Sequence, residues 1–160
     1  MPRHSGFRLF ASLCSPLAWS VLILSLAGEL GSPQNTLFLT YWFLSWFILP
    51  SPETLDNFNF ILRKSSHLLF YGILFILWCR ACQRHLTGPR SRATWAGVGI
   101  CLVIALLDEG WQSEAFRRHA SVGDVLLDLT GVGLAALLTR KAWQTPSPGP
   151  PPEERRMRLV

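Results

Sequence analysis

The stretch ATWAGVGICLVIALLDEGWQSEAFRRHASVGDVLLDLTGVGLAALLT, residues 93–139, sets two apolar runs around one polar hinge. Residues 93–107 and 129–139 carry no charge, yet Asp108, Glu109, Asp124 and Asp128 fall between them. A carboxylate at the centre of a bilayer costs roughly 2.5–3.5 kcal/mol. Either these acids face a polar cavity and do chemical work, or they lie at the water boundary.

Composition supports the membrane reading of the flanking runs. The chain of 160 residues is 49% hydrophobic and only 16% charged, with 7 Trp, 10 Phe and a mean hydropathy of +0.27. A soluble domain carries about a quarter of its residues as charges. The net charge of +5 comes in small basic groups between apolar runs, the loop pattern of a polytopic protein rather than a nucleic-acid footprint. The four cysteines form no disulfide framework. Cys14 and Cys101 lie in apolar runs, and Cys79-Arg80-Ala81-Cys82 lacks the second pair or βαβ context of a metal or redox site.

Working outward, residues 9–28 are uncharged over 20 positions, enough for a first span. A cleavable signal peptide is the rival reading there, and a retained helix is favoured because further spans follow. Residues 36–49 hold six aromatics but would reach only about 21 Å as a helix, which suggests an interfacial or re-entrant segment. Ser51-Pro52-Glu53 predicts a helix start, and Leu55, Phe58, Ile61 and Leu62 give residues 52–64 an amphipathic face. Residues 65–83, 93–110 and 122–139 predict the second, third and fourth spans. The expected fold is therefore an all-α polytopic helical bundle with about four transmembrane helices plus the interfacial segment. The Pro-rich basic tail, residues 144–160, is expected to be disordered.

Basic residues set the expected orientation. With a cytoplasmic N-terminus, Arg3, Arg8, Arg80, Arg84, Arg90, Arg92, Arg140 and Lys141 fall inside together with Arg155, Arg156 and Arg158 of the tail. Arg63, Lys64, Arg117 and Arg118 fall outside, as the positive-inside rule requires of the minority. The polar hinge and His67 then share the extracytoplasmic face.

Helical spacing decides which side chains can meet. His67 and Tyr71, Asp108 and Gln112, and Asp124 and Asp128 are each i, i+4 pairs. Ser121 suits an N-cap and Asp124 the first turn of the last helix, whereas Asp128 would lie about 9 Å along it, where an unpaired acid is costly. Arg63 and Lys64 read as snorkelling residues at the interface. Gly131 and Ala135 offer a small-residue face for close helix contact.

Arg63-Lys64-x-x-His67-x-x-x-Tyr71, Asp108-Glu109-x-x-Gln112 and Arg118-x-x-Ser121-x-x-Asp124-x-x-x-Asp128-x-x-Gly131, in that order, resemble the VanZ-like membrane proteins of bacteria. The resemblance is close over residues 63–137 and looser over 16–62, within a transmembrane domain of residues 9–140. Ala115-Phe116-Arg117 stands where that family often has a Pro-Gly turn. The resemblance implies a multi-pass protein of the bacterial cytoplasmic membrane, linked through its founding member to teicoplanin resistance. It implies no reaction and no cofactor.

Three functions follow as expectations. In the first, the outer cluster of His67, Tyr71, Asp108, Glu109, Gln112, Arg118, Ser121, Asp124 and Asp128 binds a cell-wall lipid intermediate or a glycopeptide without catalysis. In the second, the acids and His67 serve an intramembrane enzyme as general acid/base or metal ligands. In the third, they serve a proton- or ion-coupled carrier. The lipid bilayer is the expected partner in all three; substrate, metal and oligomeric state stay open.

Overall fold

A computed structural model of the chain describes residues 4–28, 32–116 and 122–144. Among the described residues all regular structure is helical, in five elements: α1 (His4–Leu26), α2 (Pro33–Leu44), α3 (Pro52–His85), α4 (Arg90–Phe116) and α5 (Val122–Gln144). Three of these, Pro52–His85, Arg90–Gln112 and Val122–Arg140, are long and apolar enough to cross a membrane. The first run contributes a shorter apolar stretch, Ala11–Leu26. The Pro-rich tail and its expected disorder lie outside the described residues.

Helix starts follow local chemistry. Ser51 caps α3, its Oγ accepting from the Thr54 N–H at 3.2 Å, with Pro52 in the first turn. Ser32 caps α2 in the same way, accepting from the Asn35 N–H at 3.3 Å ahead of Pro33's turn. The second aromatic run thus starts three residues before residue 36 and ends its helix at Leu44. Trp42, Trp46, Phe47 and Leu49 remain exposed.

One expectation is corrected. Residues 52–64 and 65–83, read as an interfacial helix and a separate span, form a single helix of 34 residues, α3. No glycine or proline separates them, so the hydrogen-bond ladder runs through the polar Arg63–Ser66 turn without interruption. At about 1.5 Å per residue α3 reaches about 51 Å, and its first turns extend beyond an apolar thickness of about 30 Å.

α3 is the central element and packs against all four other helices. Tyr71, Leu74, Phe75 and Cys79 from α3 meet Cys101, Ile104 and Ala105 from α4, Val132 and Ala135 from α5, and Ile23 from α1 in the core. The small residues named above set the closest approach: a Cβ built on Gly131 would overlap the Leu68 carbonyl oxygen of α3. Across the other interface a Cβ on Gly97 would lie 3.4 Å from the Cys79 backbone nitrogen. All four cysteines are free, and Cys79 serves this packing. Two indoles tie α1 to α3: Trp19 Nε1 donates to the Phe70 carbonyl at 3.0 Å and Trp78 Nε1 donates to Ser20 Oγ at 3.1 Å. Such bonds matter because lipid offers neither donor nor acceptor to a stranded polar group.

Candidate functional site

Lys64, His67 and Tyr71 recur at i, i+3 and i+7 along α3, so they rise up one face. Asp108 and Gln112 do the same on α4, and Asp124 and Asp128 on α5. The three faces turn toward one another. His67 Nδ1 lies 3.0 Å from Asp128 Oδ1. Tyr71 Oη donates to Asp108 Oδ2 at 3.1 Å, and Gln112 Nε2 donates to Asp108 Oδ1 at 3.2 Å. Asp108 and Asp128 are each 2% exposed and Tyr71 is 1% exposed, so the carboxylates are inside the bundle rather than at its rim.

Both acids escape the penalty of an unpaired buried charge through these partners. Among the described residues no buried side-chain nitrogen or oxygen lacks a hydrogen-bond partner. One ligand atom from each of His67, Asp108 and Asp128 falls within 4.8 Å of the others. One imidazole nitrogen and two carboxylate oxygens at that separation are a donor set that a cation accepts, and that a proton can occupy in its place.

Lys64, read as a snorkelling residue, has a partner on α5 that the sequence did not reveal. Its Nζ forms an ion pair with Asp124 Oδ1 and stands 5.6 Å from the Phe60 ring centre. Snorkelling is a local argument; the pairing depends on the axial register of α5 against α3, which no local pattern carries. Both side chains are about one-third exposed, so the pair is worth about 1 kcal/mol or less. Lys64→Met is therefore expected to lower stability by that amount in low salt and by less in 0.5 M salt. Equal losses at both ionic strengths in thermal unfolding would show that the charge is not what matters.

Three cavities adjoin the cluster. The innermost, about 40 Å³, is walled by Ile23 and Leu26 of α1 and by Ala27 just after it, and reaches His67, Tyr71, Asp108 and Gln112. A second of about 150 Å³ lies between Thr36, Arg63, Ser66, His67 and Gln112. The third, about 270 Å³, reaches Asp56, Asn59, Lys64 and Asp124, again against His67 and Gln112. His67 and Gln112 line all three. The inner volume suits a single water or ion.

Among the other expected site residues, Glu109 is half-buried next to Asp108 and takes part in an interaction of its own. Arg118 and Ser121 lie outside the described residues. The α1 wall was not anticipated at all; its uncharged residues give no sign of a cavity.

Comparison with known proteins corrects the family reading. No family model matches the chain, and no solved structure matches it. A stretch of 92 residues is 37% identical to NADH-ubiquinone oxidoreductase chain 1 of Sapajus apella, covering 54% of this chain and 29% of that protein. The chain thus spans less than a third of that relative. The resemblance to VanZ-like proteins is not upheld, and with it go the bacterial envelope setting, the antibiotic connection and the glycopeptide or cell-wall lipid ligand. The physical reason is that polar residues three and four apart are what any polar cluster shared by packed helices requires. Three such sets in order describe an architecture, not an ancestry.

Proposed function

We propose that the chain acts in the membrane as a proton- or ion-coupled carrier, with His67, Asp108 and Asp128 as the exchange position. The observation that carries this reading is two carboxylates, each 2% exposed, facing an imidazole inside helices apolar enough to cross a bilayer. Such groups are costly to keep in a membrane, and ionisable residues there mark ion and proton pathways. The likeness to a chain of an NADH-ubiquinone oxidoreductase agrees better with this reading than with resistance to an antibiotic.

The chemistry is competition for one place. A proton arriving through the outer cavities reaches His67, and the imidazolium is held by the Asp128 carboxylate. A cation binding among the same three ligand atoms displaces that proton. Tyr71 and Gln112 hold Asp108 in place through its two oxygens, so the carboxylate does not swing away when its partner changes. Lys64 and Asp124 border the widest of the three cavities at the cluster and set the field there. α1 completes four crossings, and the basic residues near Arg80–Arg92 and Arg140 face the cytoplasm with both termini.

The test uses purified protein in vesicles with an acidic interior and a trapped pH dye. Addition of Na⁺, K⁺, Mg²⁺, Ca²⁺ or Mn²⁺ outside, or of a valinomycin-set potential, is expected to discharge the gradient for at least one condition. Asp128→Asn is expected to slow that discharge at least about tenfold, since the neutral amide neither releases a proton nor offsets a cation's charge. Discharge at the protein-free rate under every condition would end the carrier reading.

A further inference from the structure

A further cavity, apart from the three at the polar cluster, lies at the opposite, basic end of the bundle, between α3, α4 and α5. It is the largest described, about 640 Å³, within the range of small-molecule sites. Its mouth carries two arginines. Arg90 begins one segment long and apolar enough to cross a membrane and Arg140 closes another, so both line the cavity at the same end of the bundle. Eighteen residues separate Arg90 from Asp108 along α4, about 27 Å of helix, so this place is distinct from the polar cluster.

The body of the cavity changes character below that mouth. Phe75, Gly133, Ala136 and Leu137 make an apolar floor, and Trp95 flanks it at the level expected of an interfacial indole. The hydroxyls of Thr94 and Thr139 donate to backbone carbonyls of their own helices, Arg90 O at 3.1 Å and Ala135 O at 2.7 Å. Those hydroxyls are thereby satisfied and leave the floor without a competing polar demand. A Cβ built on Gly133 meets nothing within 4 Å, because that face of α5 opens into the cavity.

We infer that this groove binds an anionic phospholipid, its phosphate between Arg90 and Arg140 and an acyl chain along Gly133 and Leu137. Charge complementarity selects the occupant: two arginines lining one cavity match phosphate oxygens in a way that a zwitterionic headgroup, with its own cation, offsets. Basic pockets between membrane helices are a known physical solution for anionic headgroups. The groove's length of apolar wall then distinguishes a lipid from a soluble phosphate.

Native mass spectrometry of the purified full chain decides this, with phosphatidylglycerol and phosphatidylcholine of identical acyl chains as probes. Wild-type protein is expected to retain phosphatidylglycerol at least about fivefold over phosphatidylcholine. Arg90→Ala with Arg140→Ala should bring the ratio to about one. Gly133→Phe, at a position whose Cβ would meet nothing within 4 Å, should fill the groove and reduce retention of both lipids while the thermal melt stays at or above wild type. An excess of glycerol phosphate should displace neither. Equal retention of the two lipids by wild type, unchanged retention in Gly133→Phe, or displacement by glycerol phosphate would each overturn the lipid assignment.

Discussion

Gly131→Ala is expected to destabilise the bundle by about 3 kcal/mol, near the top of the usual range for overpacking. The added methyl meets backbone rather than a flexible side chain. It would overlap the Leu68 carbonyl oxygen and stand 3.0 Å from the carbonyl carbon and 3.1 Å from Leu68 Cα. α3 must therefore move away from α5, and α3 is the helix on which all others pack. The same displacement reaches the site. Leu68 follows His67 in sequence and Asp128 lies one turn before Gly131, so spreading the helices stretches the 3.0 Å contact between His67 and Asp128. Stability and ion exchange should fall together in this variant. Gly133→Ala is the control: its Cβ meets nothing within 4 Å, so it should be neutral or stabilising by up to about 1 kcal/mol through helix propensity. Unfolding in mixed micelles measures both, and a Gly131→Ala melt matching wild type would show that the two helices yield without cost.

His67→Ala is expected to cost about 3 kcal/mol, because it strands Asp128, which is 2% exposed, without its imidazole partner. The comparison with Asp108 decides whether this is a pair effect or simple loss of packing. Asp108 accepts from both Tyr71 and Gln112, so Tyr71→Phe leaves one donor in place and should cost only about 1 kcal/mol. The double variant His67→Leu with Asp128→Leu should regain most of the loss, since replacing both members of a buried polar pair by apolar groups is often neutral. It should also have no exchange activity. A double variant as unstable as His67→Ala alone would mean that the imidazole contributes mainly by filling space.

Much of the architecture was legible because it rests on local physics. Uncharged runs of membrane-crossing length, Ser51 before Pro52, and the i, i+4 pairs on three helices each follow from helix geometry and the cost of polarity in lipid. The convergence of those pairs was less legible. Helical periodicity says that Asp108 and Gln112 share a face, but not that the face turns toward Tyr71. Lys64 shows the same gap, since its salt bridge to Asp124 depends on how far α5 slides along α3. The family reading failed for a related reason: the motif spacing encodes shared helix faces, which unrelated bundles also need.

By itself the sequence determined that this chain is a helical membrane protein with acids confined to a few helix faces, because hydropathy and the 3.6-residue period act within single segments. Only the tertiary structure decided that Asp108 and Asp128 are buried beside His67, and that a separate basic groove opens over Gly133. Both depend on the close approach of α3 and α5 at Gly131, a contact between residues about sixty apart in the chain. The position and depth of each site follow from that packing distance, which no single segment specifies.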